Sequence, residues 1–182
     1  MVRALLDGRK TMTRRRAKRE FVKASESKDG RAILVPSAWA RVQPGDRLWV
    51  RETWARTSIT PIVSTIENPW VVFRECDNRC DYGGPWRSPI HLARKDSRLT
   101  LVITATKIER LQTITKADAL AEGIDGLWLV QNHVPPPRKS SFRDLWDDLH
   151  GAGSWDANSE VVALTFAVHK CKINAMPKSE AA

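Results

Sequence analysis

The sequence lacks the features of membrane-spanning and secreted proteins. No apolar stretch approaches the roughly 18 residues that cross a bilayer, and the N-terminus has no apolar core of a secretory signal. The cysteines Cys76, Cys80 and Cys171 are odd in number, which does not suit a disulfide framework. We therefore expect a soluble protein in a reducing cytoplasm, with no membrane partner.

Common catalytic and metal-binding motifs are also missing. The chain has no glycine-rich phosphate loop, no HExxH, no GxSxG and no paired CxxC. Cys76 and Cys80, with His91 beyond them, are a weak indication of zinc, because zinc takes four ligands and Cys171 is distant in sequence. Unligated thiols are the better interpretation, so we expect no metal and no cofactor.

Positive charge and tryptophan are abundant. The 182 residues include 30 Lys and Arg against 21 Asp and Glu, a formal net charge of +9. This surplus predicts attraction to polyanions such as RNA or DNA. There are eight Trp against one Tyr. An exposed indole such as Trp86, beside Arg87, would suit base stacking, but a tryptophan that covers the core edge is an equally good interpretation.

Length and periodicity predict one α+β domain over residues 1–169. Val2, Leu5 and Leu6 share one face of a short helix that Gly8 can end. Strands are predicted at 45–55, 70–76, 97–111 and 161–168, helices at 115–124 and 141–151, insertions near 56–97 and 127–139, and a disordered tail at 170–182. Strands and short helices without regular βαβ alternation favour a small twisted sheet or a partly closed barrel.

Glu52 stands in the apolar phase of the strand predicted at 45–55. Strand alternation puts it on the same face as Leu48, Val50 and Trp54. A carboxylate that points inward requires a hydrogen-bonded or cationic partner, because an unpaired buried charge is strongly destabilising. Glu52 is therefore a candidate site residue, although a glutamate on an edge strand that reaches solvent fits the pattern equally well.

Four stretches occur in an order that is similar to one known family. They are LLDGRKTMTRR at 5–15, GDRLWVRETW at 45–54, SRLTLVITATKIERLQTITKADALAEGI at 97–124, and LWDDLHG followed by GSWDAN and a terminal apolar strand. Together they resemble the ASCH domain of the PUA-like superfamily, in the longer form often encoded by phages and prophages. The resemblance covers most of residues 1–169.

This resemblance implies a β-barrel-like fold with short helices closing one side of a basic cleft. It also implies RNA or a modified nucleoside as partner, and a location in the cytoplasm of a bacterial host cell. The longer forms usually carry a strand before the first helix, whereas this sequence has none before MVRALL; a barrel that lacks this strand would be open or unstable.

The resemblance also implies catalytic residues. A compact branch of the family hydrolyses the amide of N4-acetylcytidine with a lysine, a threonine and a glutamate, which match Lys10, Thr13 and Glu122. Thr13 would be the nucleophile, Lys10 the base and Glu122 the proton donor, with Glu52 as an alternative carboxylate partner of Lys10. A lysine acts as a base only if its pKa is lowered, and the arginines around Lys10 supply one reason.

Geometry sets a condition on this assignment. In a regular strand Lys10 and Thr13 point to opposite faces, so they meet only if the chain bends between them. Without the resemblance, GRKTMTRRR at 8–16 is more typical of a solvated basic face.

The residues expected to bind nucleic acid are basic or aromatic: Arg9, Arg14, Arg15, Arg51, Trp49 and Arg87. Three functions stay open, namely an amidohydrolase, a non-catalytic RNA-binding module and a ribonuclease. Amide hydrolysis requires a closed pocket for one base, whereas strand binding or cleavage requires an open groove.

Overall fold

The fold is α+β, with few helices and an antiparallel sheet curled like half of a barrel. The computed structural model describes residues 2–17, 20–22, 33–35, 37–56, 71–75, 85–124 and 138–176. Most of the insertions expected near 56–97 and 127–139, including Cys76 and Cys80, lie outside these ranges. No helix in the described ranges is long and apolar enough to span a membrane.

Eight strands and three helices make up the described fold. The strands are β1 (Met12–Arg16), β2 (Glu20–Val22), β3 (Ile33–Val35), β4 (Arg47–Trp49), β5 (Trp54–Arg56), β6 (Val71–Phe73), β7 (Thr100–Arg110) and β8 (Glu160–His169). The helices are α1 (Val2–Leu6), α2 (Lys116–Ala121) and α3 (Arg138–His150). One sheet has the strand order β1-β8-β7-β4, and β2-β3 and β5-β6 form two-stranded sheets.

The described residues divide into two compact units, and the expected single domain over 1–169 stays a prediction. The first unit contains residues 3–46 and 103–167. In it β1 runs antiparallel to β8, with Met12 opposite Thr165 and Arg16 opposite Val161. Side chains 161–164 of β8 are all buried. This part of β8 is therefore buried on both faces.

Two helices cover the core of the first unit. Thr115 caps α2 and forms a capping box with Asp118. Helix α3 begins a few residues earlier than expected and ends before Gly151, which has a positive φ of 98°. One cluster of this core contains seven buried residues from α2, α3, β8 and the turns that precede α2 and β8: Leu111, Ile114, Ala119, Phe142, Trp146, Trp155 and Val161.

The second unit contains residues 47–102 and the chain from residue 168. The strand predicted at 45–55 is divided here into β4 and β5, with residues 50–53 between them. β4 pairs with the start of β7, and β5 pairs with β6 so that Trp54 lies opposite Phe73. Alternating hydrophobicity could not reveal this division, because both short strands keep the same period.

The start of the C-terminal tail makes contacts within the second unit. The Thr100 hydroxyl donates to the carbonyl oxygen of Cys171 at 2.9 Å, and Arg47 donates to that of Met176 at 3.3 Å. Ile173 is buried. Residues 170–176 thus make contacts within the second unit, and the expected disorder of the tail over 170–182 stays a prediction. Residues 177–182 lie outside the described ranges.

Candidate functional site around Lys10 and Glu122

The end of α1 places Lys10 in the first unit. Gly8 has φ 72°, the left-handed conformation that ends many helices. The backbone N–H groups of Arg9 and Lys10 both donate to the carbonyl oxygen of Ala4 at 2.9 Å. The chain thus leaves the helix at a fixed corner, and Lys10 is the first residue after it to pair as in a sheet.

Lys10 pairs with Glu122, which lies directly after α2. The two residues form an isolated antiparallel bridge, and the N–H of Thr11 donates to the carbonyl oxygen of Ala121 at 2.8 Å. Directly opposed residues of an antiparallel pair place their side chains on the same side. Lys10 Nζ consequently donates to Glu122 Oε2 at 2.7 Å and to the Glu122 carbonyl oxygen at 2.9 Å.

This ion pair is buried, with Lys10 5% exposed and Glu122 4% exposed. The carbonyl that Lys10 reaches is among the last of α2, which have no partner within the helix and carry partial negative charge. The amine therefore receives both a carboxylate and a helix-end carbonyl.

Gly123 permits the close approach of α1 to this pair. It has φ 81°, and a Cβ added to it would lie 3.0 Å from the Cβ atoms of both Ala4 and Lys10. This distance is shorter than nine in ten real Cβ contacts. A side chain at this position would require Ala4 and Lys10 to move by a few tenths of an ångström.

Arg14 extends the pair into a network of charges. Its guanidinium binds Glu109 at 2.8 Å and Asp118 at 2.9 Å, and its Nη1 lies 3.4 Å from Glu122 Oε1. The Arg14 side chain is only 1% exposed. Lys107 binds the other oxygen of Glu109 at 2.8 Å. The network thus balances the cations Lys10, Arg14 and Lys107 against the same number of carboxylates.

Burial has a different effect on the cations and the carboxylates of the network. It lowers the pKa of Lys10, and the opposing effect of Glu122 does not restore it. Arg15 and Arg14 lower this pKa further, but by less, so burial rather than the arginine run is the main cause. Burial alone would raise the pKa of Asp118, but hydrogen bonds from Thr115 and the nearby Arg14 outweigh it and lower that pKa.

Thr13 lies on the other face of β1. Arg14 Nη1 is 3.3 Å from Met12 Sδ, and it also reaches the partner of Lys10, so Lys10, Met12 and Arg14 share one face. The pairing with β8 is regular from Met12 to Arg16 and sets Thr13 opposite Leu164. The bend that would bring Lys10 and Thr13 together is absent from β1, because the ladder with β8 keeps the strand extended.

The remaining nucleic-acid candidates of the first unit are more exposed. Arg15 lies on the Thr13 face, and its guanidinium carbon is 5.2 Å from the centroid of the Trp39 ring. Arg9 binds Asp7 at 3.0 Å. Arg14, by contrast, has its donors occupied by carboxylates, which is a poor arrangement for a phosphate contact.

The candidates of the second unit include Glu52, which is 1% exposed. Arg98 holds its carboxylate in a fork, with Nε to Oε1 at 3.1 Å and Nη2 to Oε2 at 2.7 Å. The inward-pointing carboxylate thus has the cationic partner that the sequence required, and Glu122 is the carboxylate bound to Lys10. Arg51 stacks on Trp49 at 4.8 Å, and Arg87 lies 5.3 Å from the Trp54 ring.

A cavity of about 380 Å³ lies beside α2 in the first unit. It is lined by Arg9, Ala117, Leu120, Ala121, Gly123 and Ile124, which include chain neighbours of both Lys10 and Glu122. This volume is within the range of about 300–1,000 Å³ that small-molecule sites occupy. The described ranges contain no cluster of His, Cys, Asp and Glu that could hold a metal ion.

Comparison with protein-family models, curated proteins and solved structures finds no match. Evidence for the function therefore comes from the geometry of the site.

The sequence alone did not reveal several residues of these arrangements. Periodicity and spacing give no partner for Glu109 or Asp118. They also do not distinguish Trp39, which stands between two alanines, or Arg98, which is close to Glu52 only in the folded chain.

Proposed function

We propose that this chain is an ASCH-type, PUA-like protein that acts on RNA or on a modified nucleoside, with amide hydrolysis as its reaction. One observation carries the proposal. Lys10 Nζ lies 2.7 Å from Glu122 Oε2 across 112 positions of sequence, and these are two of the three positions that the resemblance matches to a hydrolytic site.

The pair has the properties required for proton transfer. A lysine with a lowered pKa can pass its proton to the Glu122 carboxylate, 2.7 Å away, and then accept a proton from a nucleophile as the neutral amine. In the hydrolysis of N4-acetylcytidine, an oxygen nucleophile attacks the acetyl carbonyl, the bond from carbonyl carbon to N4 breaks, and N4 takes up a proton. Glu122, protonated by that first transfer, can give its proton to N4, which restores the ammonium–carboxylate pair.

Water is the nucleophile that fits this arrangement best. Thr13 would be the nucleophile by resemblance, but its side chain lies on the face of β1 opposite to Lys10. With water, the products are cytidine and acetate, and no covalent enzyme intermediate forms. The cavity beside α2 is open, and it is lined by chain neighbours of both catalytic candidates rather than by their own side chains.

Incubation with N4-acetylcytidine, followed by chromatography, tests the reaction. We expect the unmodified protein to release cytidine, and Lys10→Met and Glu122→Gln to lose about 100-fold or more, since positioned acid–base groups contribute about 10²–10⁴-fold. Lys107→Met is the matched control, because it removes an exposed lysine of the same network. Tryptophan fluorescence verifies that each variant is folded. Absence of cytidine with the unmodified protein would refute the reaction.

Thr13→Val distinguishes the two nucleophiles. If water attacks, this variant retains activity. Loss of activity in Thr13→Val, with recovery in Thr13→Ser, would instead assign the attack to the threonine hydroxyl and require a rearrangement of β1.

A second candidate is a non-catalytic RNA-binding module. It is favoured by the burial of Lys10, whose amine is held by two oxygens of Glu122 and does not line the cavity. In this case the pair only stabilises the fold. RNA binding would then persist in Lys10→Met, and the unmodified protein would leave mixed RNA intact. Cleavage of mixed RNA by the unmodified protein would instead favour the ribonuclease alternative.

A further inference from the structure

On the face of β1 opposite to Lys10, the exposed cation of Arg15 lies beside the exposed indole of Trp39, which comes from a separate turn. We propose that Arg15 and Trp39 form a binding site for one unpaired base of single-stranded RNA, distinct from the site at Lys10 and Glu122. The inference rests on the proposed association with RNA, but not on amide hydrolysis.

A short, well-fixed turn holds the indole. Trp39 belongs to a 3-10 turn, Ala38–Arg41, that follows Ser37. The buried Ser37 accepts a hydrogen bond from the N–H of Ala40 at 3.4 Å, and the N–H of Val42 donates to the Trp39 carbonyl at 3.2 Å. Despite this fixed backbone, Trp39 is 37% exposed. A rigid, exposed aromatic ring is a suitable surface for base stacking.

Arg15 adds a cation directly beside the ring. Its guanidinium carbon lies 5.2 Å from the ring centroid, within the range of about 6 Å for a cation–π contact. Arg15 is exposed, and no ion pair to it occurs among the described residues. Its neighbour Arg14 is buried and binds three carboxylates. The donors of Arg15 therefore remain available to a phosphate.

This combination suits an unpaired nucleotide more than a duplex. In a helix the faces of each base are covered by neighbouring bases, whereas single strands can place a base on an aromatic side chain. A duplex could still offer phosphates to Arg15, but it would leave Trp39 unused. The site therefore predicts a preference for single strands with little sequence selectivity, because every base has a stacking face.

Fluorescence anisotropy with a labelled short RNA and a duplex of the same sequence tests the site. We expect tighter binding of the single strand, and a loss of about tenfold in Trp39→Ala, since stacking contributes about 1–3 kcal/mol per base. Trp39→Phe retains part of the affinity. Leu149→Ala is the control, because Leu149 is a large apolar residue of α3 that is 60% exposed and belongs to no proposed site. Arg15→Gln reduces the slope of log affinity against log salt by about 0.7, the value for one phosphate contact to a single strand.

The outcomes separate this inference from the proposed function. If single strands bind but Trp39→Ala and Leu149→Ala behave alike, or if the duplex binds equally well, the Arg15–Trp39 site is refuted while association with RNA stands. If neither RNA binds, the site is refuted as well, and release of cytidine from the free nucleoside still decides the hydrolytic reaction.

Discussion

Replacing one member of the buried pair at Lys10 should destabilise the protein far more than replacing both. In Glu122→Leu the Lys10 ammonium keeps only the carbonyl oxygen at 2.9 Å, and Arg14 loses its longest ion-pair contact, at 3.4 Å. Removing one partner of a buried ion pair typically reduces the free energy of unfolding by about 3–5 kcal/mol. The expected loss at neutral pH is of this size, and Lys10→Met should behave similarly because it leaves Glu122 poorly compensated.

The double variant Lys10→Met with Glu122→Leu should recover much of this stability. A buried ion pair exchanged for apolar residues of similar volume is often neutral or stabilising. We therefore expect the double variant to lie within about 2 kcal/mol of the unmodified protein, which implies a coupling energy of several kcal/mol between the two positions.

Urea unfolding followed by tryptophan fluorescence measures these differences. With a denaturant slope of about 2 kcal/mol per molar, a loss of 4 kcal/mol lowers the midpoint by about 2 M. An unchanged slope verifies that the denatured state is comparable. The proposed coupling of Lys10 and Glu122 is refuted if each single variant loses less than about 1 kcal/mol, or if the loss in the double variant equals the sum of the single losses.

Two further predictions concern the surroundings of the pair. Gly123→Ala should reduce the free energy of unfolding by about 2 kcal/mol or more, because it combines a positive φ with a 3.0 Å contact to Lys10. Gly8→Ala is the control: Gly8 has a positive φ but open space around it, so this variant should lose only about 1 kcal/mol. Equal losses in the two variants would contradict the close approach at Gly123. The pKa of Asp118 in the folded protein lies below its ordinary value. Between these two pKa values the unfolded state binds more protons than the folded state, so stability falls as the pH drops through the folded-state pKa. Unfolding from pH 6 downward should therefore show a shallower pH dependence in Asp118→Asn than in the unmodified protein, and identical profiles would contradict the prediction.

Local patterns predicted the long elements of this fold well. β7 and β8 have sustained alternation or continuous apolar character, and α2 has a capping box before it and a glycine after it. Each of these patterns involves residues close together in sequence, so the helix or strand can be predicted without knowledge of the tertiary structure. The division of the 45–55 segment into two strands has no local signal of this kind.

The site was predictable only in part for the same reason. The resemblance matched Lys10 and Glu122, which the fold brings into contact, whereas periodicity and spacing alone could not pair residues so far apart. Arg14 shows the limit most clearly. Strand alternation gives its face, but the carboxylates that occupy it come from positions 95 and 104 residues later. No short window of sequence contains that information.

The acidic residues around Arg14 also determine how β1 is aligned. β8 is apolar and buried on both faces, so hydrophobic burial gives β1 little reason to prefer one alignment over a shift of one residue. Such a shift would turn Arg14 toward Leu164 and bring Thr13 and Arg15 to the carboxylates. The buried charges around Arg14 thus set the register of β1 on β8, which hydrophobic burial alone leaves open. The same register buries Arg14 and leaves Arg15 exposed to solvent.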